Sequence, residues 1–150
     1  MSSCLAIAPN FVIARGLDKK ESACVRPAMF AFCLDCSGSM RDNLWNTSTS
    51  RWDFVVSSVD TLVQARLQTG HPDDCVVVVA FNNESHVLMP VQNLAQAASN
   101  LRKVLCSRTP EKGTSITRGF LGLDSVLMEA YSTLNGLPKL LIQVDLTDGF

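Results

Sequence analysis

Phe30-Ala31-Phe32-Cys33-Leu34-Asp35-Cys36-Ser37-Gly38-Ser39-Met40 decides how this chain folds. The apolar run reads as a buried strand. It stops abruptly at an acid, two serines and a glycine, which read as the loop where that strand leaves its sheet. Asp35, Ser37 and Ser39 stand at alternate positions, and alternate side chains of an extended segment point the same way. Three hard oxygen groups therefore converge on one spot, a donor set that suits Mg²⁺ or Mn²⁺ rather than zinc. Gly38 permits a tight backbone path between the serines.

Working outward, the strand covers 28–34. Residues 1–27 before it show no clean period; Gly16 to Ser22 is polar and Pro27 marks a break. They read as a loosely packed leader with a short strand at Asn10 to Ala14. After the loop, residues 41–50 are mostly polar, with Trp45 their one aromatic group. Arg51 to Gln68 carries Trp52, Val55, Val56, Val59, Leu62, Val63 and Leu67 at helical spacing. Gly70-His71-Pro72-Asp73-Asp74 ends that helix. Cys75 to Phe81 is a strand buried on both faces. The short turn Asn82-Asn83-Glu84-Ser85 leads into a second strand, His86 to Val91, so this pair is antiparallel.

Leu94 to Leu105 and Ile116 to Leu134 are two further helices, separated by the loop Ser107 to Ser115. The second of them turns Ile116, Phe120, Leu123, Leu127, Tyr131 and Leu134 inward and ends at Asn135-Gly136. Lys139 to Leu146 is the last strand, followed by Thr147-Asp148-Gly149-Phe150. Strands alternating with helices predict an α/β fold: a doubly wound, Rossmann-like, mostly parallel sheet with one antiparallel hairpin strand and helices on both faces. Such sheets bind ligands beyond the C-terminal ends of their strands. Connectivity brings Asp35, Asp148, the Thr114 loop and the 82–85 turn to that edge.

The three pieces Asp35-Cys36-Ser37-Gly38-Ser39, Lys112-Gly113-Thr114 and Leu146-Thr147-Asp148-Gly149 together resemble the von Willebrand factor type A (vWA) domain, over residues 28–150. That family's metal-ion-dependent adhesion site (MIDAS) is Asp-x-Ser-x-Ser after the first strand, then a distant threonine, then a distant aspartate. The resemblance implies a divalent cation, Mg²⁺ or Mn²⁺, held by Asp35, Ser37, Ser39, Thr114 and Asp148. It implies that an acidic residue of a protein partner binds through that cation. The serines and Thr114 would touch the metal directly or nearly so, and the two aspartates directly or through water. Two carboxylates neutralise a divalent cation, and Mg²⁺ wants six ligands, so positions stay open for an outside carboxylate. Nearby helix N-termini disfavour a bare cation but favour an arriving anion. Weak metal binding alone, and tighter binding with an acidic ligand, is the expectation.

Two departures stand out. The family's domain carries two further strand–helix units after the Thr-Asp-Gly turn, and their absence here predicts a fragment of a larger protein, or else a partner that covers an exposed last strand. Gln143 and Asp145 also interrupt a strand expected to be apolar throughout.

The remaining features mostly exclude. A net charge of −1 gives no footprint for nucleic acid, and no apolar run is long enough to span a membrane. Cys4 to Ala8 lacks a preceding basic region, so no export signal is expected; the six cysteines read as reduced thiols in an intracellular protein, cytoplasmic or nuclear. Cys33-Leu34-Asp35-Cys36 has the C-x-x-C spacing, yet Cys33 sits inside a strand and no second pair completes a zinc site. His71 and His86 lack a ligand spacing and read as surface residues. Trp45 and Trp52 read as packing groups, with the rim of the site as Trp45's other reading.

The expected function is therefore a non-catalytic protein-interaction module. A metal-assisted hydrolase or phosphoryl-transfer enzyme, and a regulatory subunit of an ATP-driven multi-subunit complex, are the alternatives. Against them stand the missing Gly-rich Lys-Ser/Thr phosphate loop, the absence of an acid at Ser37, and a general base no better placed than Glu84.

Overall fold

The computed structural model describes residues 26–133 and 140–147. The expected strand at 10–14, almost all of the leader, Leu134, the Asn135-Gly136 cap, Lys139 and Asp148 lie outside the described residues. Within them the chain runs β1 (Ala28–Asp35), a 3-10 turn (Gly38–Arg41), α1 (Arg51–Thr69), β2 (Cys75–Phe81), β3 (Ser85–Asn93), α2 (Leu94–Cys106), α3 (Ile116–Thr133) and β4 (Leu140–Leu146). The strand order is β3-β2-β1-β4, with β1 parallel to β2 and β4 and β3 antiparallel to β2. This is the mostly parallel Rossmann-like sheet, with one antiparallel strand, that the sequence predicts.

β1 sits inside the sheet because both its faces are apolar. Phe32 and Leu34 join Trp52, Val56, Val59, Leu101 and Leu105 in the layer under α1 and α2. Met29, Ala31 and Cys33 join Val77, Val79, Phe81 and Leu123 in the layer under α3. Helix starts are fixed locally. The Ser50 hydroxyl oxygen accepts from Asp53 N at 3.0 Å, and Asn93 Oδ1 accepts from Ala95 N at 3.0 Å.

At the N-terminal end of the strands, Asp74 is 1% exposed. It accepts from Ala28 N (2.8 Å), His71 N (2.9 Å), and Arg66 through Nε (2.6 Å) and Nη2 (3.1 Å). This clasp ties α1, the 70–74 turn and the start of β1 together.

Five packing expectations need correction, four of them on the helices. Leu62 and Leu67 are 40% and 38% exposed; the last turn of α1 turns Arg66 inward instead, its guanidinium 5.5 Å from the Phe30 ring centre while it holds Asp74. On α3, Phe120 and Tyr131 are 41% and 60% exposed, whereas Leu123 and Ala130 are buried. The helix seats itself through glycines: a Cβ on Gly119 would stand 2.5 Å from Phe81 Cδ1, and one on Gly122 2.5 Å from Ser85 Cβ. A count of bulky residues misses a face made of small ones.

The polar pair in β4 has a simple place. Val144 and Leu146 pack against the α1/α2 core. Gln143 and Asp145 point to the other face, beside Ala31 and Cys33, where Gln143 Nε2 donates to both Asp145 oxygens at 3.0 and 3.1 Å. Trp45, finally, is not a packing group, for it is 84% exposed.

Candidate metal centre

The end of β1 carries its acid into the interior. Asp35 is 0% exposed and Ser37 1%. Asp35 Oδ1 accepts from Ser37 N at 2.8 Å, a side-chain-to-backbone turn that curls the chain directly after the strand. Ser37 Oγ and Ser39 Oγ then lie 3.2 Å apart. The alternation expected of an extended segment is thus replaced by a tight 3-10 turn from Gly38 to Arg41, but the outcome for the two hydroxyls is the same convergence.

The loop before α3 is fastened over this turn by main-chain hydrogen bonds. Gly38 N donates to Lys112 O at 2.9 Å, and Glu111 N to Cys36 O at 2.9 Å. Arg41 Nε adds a bond to Pro110 O at 2.5 Å. A Cβ on Gly38 would press to 3.2 Å from Lys112 O, so the glycine is there to admit the loop, more than to free the turn. Ser115 N donates to Asn82 O at 2.8 Å, fastening the loop's far side to the end of β2. Thr114, exposed, stands between these two fastenings and so reaches the same sheet edge as Asp35. Ser115 O, accepting from Arg118 N and Gly119 N, begins α3.

Of the five residues singled out in the sequence, Asp35, Ser37 and Ser39 come together and Thr114 is carried to their edge. Asp148 lies outside the described residues. Its neighbour Thr147 supplies a contact that sequence reading missed: Thr147 Oγ1 donates to Asp35 Oδ2 at 2.8 Å. Asp35 therefore holds one neutral donor on each oxygen, and each oxygen keeps a free lone pair. Among the described residues Asp35 makes no ion pair, and no three His, Cys, Asp or Glu side chains gather into a metal-binding group. The candidate set is one buried carboxylate and converging hydroxyls, which fits a hard cation that retains water.

Two further polar groups back the site. Asn82 is 0% exposed; its Oδ1 accepts from Glu84 N at 3.0 Å, while Nδ2 has no partner. His86, expected at the surface, is half-buried, and burial with the nearby Arg108 charge holds its imidazole below the usual range. The C-x-x-C pair is split between layers, Cys33 under α3 and Cys36 under α1 and α2, both as free thiols. Burial, with the charges of Asp145 and Asp35, pushes the Cys33 thiol up to about 12. Burial also raises Cys36. Neither is a ready thiolate.

A family model for the von Willebrand factor type A domain matches residues 30–136. No curated protein matches the chain in sequence. Among solved structures, the chain is similar to the PilB minor pilin from Streptococcus sanguinis, with a TM-score of 0.66 at 20% identity over 87% of this chain and 31% of that one. It is also similar to the vWF domain of the type V pili tip protein Mfa5 from Porphyromonas gingivalis (TM-score 0.65, 20% identity, 85% of this chain, 39% of that). The pilus adhesin SpaC from Lactobacillus rhamnosus GG gives a TM-score of 0.66 at 20% identity, over 84% of this chain and 16% of that. The chain thus spans well under half the length of each of these three. Among the described residues no helix is long and apolar enough to cross a membrane.

Proposed function

Since the chain belongs to the von Willebrand factor type A domain family, we propose that it is a non-catalytic module that binds Mg²⁺ or Mn²⁺ at the end of β1 and, through that cation, an acidic residue of a partner protein. The observation that carries this reading is Asp35, a carboxylate with no exposed surface and only neutral donors among the described residues. Burying a carboxylate without a countercharge costs several kcal/mol. A bound divalent cation would offset that cost and leave positive charge for an incoming carboxylate.

Asp35, Ser37 and Ser39 would hold the ion, with Thr114 and Asp148 completing the set. The protein's own part is placement. The bond from Ser37 N fixes the Asp35 carboxylate, and Thr147 orients its other oxygen. The main-chain fastenings from Gly38 and Ser115 hold Thr114 at the rim. Membership of the family, and a fold shared with a pilus adhesin, support a binding role.

The test is a thermal melt of the full chain with and without millimolar Mn²⁺, with Asp35→Ala beside it. Mn²⁺ is expected to raise the melting temperature of the parent protein only. An unshifted parent protein, or an equal shift in both, overturns the reading.

A further inference from the structure

We propose that Trp45 is a second contact for the same partner, an apolar anchor presented beside the metal centre; this rests on the metal-dependent binding proposed above. The chain has two tryptophans, and they are used oppositely. Trp52, at the start of α1, is 5% exposed and belongs to the core; Trp45 is 84% exposed. A single exposed apolar residue is ordinary on a protein surface. What sets Trp45 apart is the structure built to hold it out.

Residues 43–50 form a small braced hairpin. Asn43 and Ser50 pair as an antiparallel bridge. Leu44 N donates to Thr49 O at 2.9 Å, and Thr47 N to Leu44 O at 3.0 Å, closing a turn with Trp45 and Asn46 at its tip. Thr47 Oγ1 donates to Leu44 O at 3.1 Å, a further brace inside the turn. Asn46 adopts φ 56°, the left-handed region, as a tight turn of this kind requires. Ordering such a loop costs conformational entropy, and Trp45 at the tip contributes almost no burial to the fold in return.

The hairpin base is tied to the candidate centre itself. Asp42 N donates to Ser39 O at 3.0 Å, and Arg51 N to Asp42 O at 2.9 Å. Ser39 and Asp42 close a turn of less than about 7 Å, and a hairpin rises about 3.4 Å per residue, so the Trp45 backbone lies within about 17 Å of Ser39. One side of a standard protein interface, about 800 Å² or roughly 32 Å across, covers both. Tryptophan is also the residue type that most often anchors such interfaces, since it offers a large rigid surface at low entropy cost. The partner that fits is a protein segment with an exposed Asp or Glu and an apolar side chain nearby. At about 3.3 Å per residue in extended chain, that side chain stands within about five positions of the acid.

The full chain, Trp45→Ala and Asp35→Ala would be applied with Mn²⁺ to an array of glutamate-centred synthetic peptides, in which one leucine, tryptophan or proline is walked outward position by position. Mn²⁺ melts of all three proteins would accompany it. The expected result is retention of peptides whose apolar residue stands within five positions of the glutamate. Trp45→Ala should bind these at least about tenfold more weakly yet keep its full Mn²⁺ melting shift, and Asp35→Ala should lose both. Equal retention by Trp45→Ala overturns the inference. So does an array that retains nothing while the Mn²⁺ shift persists, in which case the metal reading stands alone. An absent Mn²⁺ shift in the parent protein removes the metal reading and this inference with it.

Discussion

Two aspartates are buried at opposite ends of the same sheet, and they are treated differently. Asp74 is wrapped by four donor atoms, two of them from the Arg66 guanidinium. Asp35, equally inaccessible, has one backbone N–H and one hydroxyl. The first carries its countercharge within the fold. The second, among the described residues, does not. Burial alone therefore does not distinguish the two acids; the countercharge does.

The comparison can be broken from the Asp74 side first, where the effect is largest. Asp74→Ala leaves a half-buried guanidinium without its countercharge, keeping only its bond to Arg26 O, and two backbone N–H groups without partners, and should lower unfolding free energy by about 3–5 kcal/mol in urea titrations, with or without Mn²⁺. The same clasp has a pH signature. Burial pushes the Asp74 carboxyl up, but hydrogen bonds from Arg66, Ala28 and His71 and the Arg66 charge outweigh it, so its pKa lies below the ordinary range. The folded state then binds that proton more weakly than the unfolded chain. Its stabilisation is complete above the unfolded value of about 3.9 and is lost as pH falls below it through the folded value. Acid titrations followed by circular dichroism should show this limb in the parent protein and lack it in Asp74→Asn.

Asp35→Asn sharpens the contrast. The amide can accept from Ser37 N and donate to Thr147 while removing the uncompensated buried charge, so metal-free stability should rise rather than fall. The gain from Mn²⁺, about 2.7 kcal/mol at a hundredfold excess over Kd, should vanish. An Asp35→Asn protein destabilised without metal as much as is expected of Asp74→Ala would show both aspartates to be structural. The smallest effect is expected of Thr114→Ala, with metal-free stability within about 0.5 kcal/mol of the parent and Mn²⁺ binding, by calorimetry, weaker by about tenfold.

Much of the fold was legible because its signals are local. An apolar run ending at Asp35, the β-branched Val76–Val79 and the breakers at Gly70-His71-Pro72 each act within a few residues. What escaped is non-local or depends on small groups. Gly119 and Gly122 carry no hydrophobic weight, yet they choose which face of α3 meets the sheet. Arg66 displaces Leu67 from the interior only because Asp74 waits across the turn. At the candidate centre, Asp35, Ser37 and Ser39 were readable as a spacing. The role of Thr147, 112 positions along the chain from Asp35, was not, since only the pairing of β1 with β4 brings the two together. Trp45 escaped for the opposite reason: a bulky aromatic in a polar stretch suggests a hidden core contact, and the hairpin that exposes it is made of backbone bonds that composition does not display.

The fastening of the loop before α3 is largely main chain to main chain: Gly38 to Lys112, Glu111 to Cys36, Ser115 to Asn82. Such bonds are indifferent to what hangs from the α-carbons at Glu111 and Lys112, both of which face solvent. Glu111 is free to drift under mutation, and Lys112, at φ 64°, only among residues that tolerate a left-handed backbone, while the threonine stays where it is. A scaffold of this kind separates inheritance from address: the loop's fastening over the β1 turn can be handed down intact while the surrounding rim is rewritten.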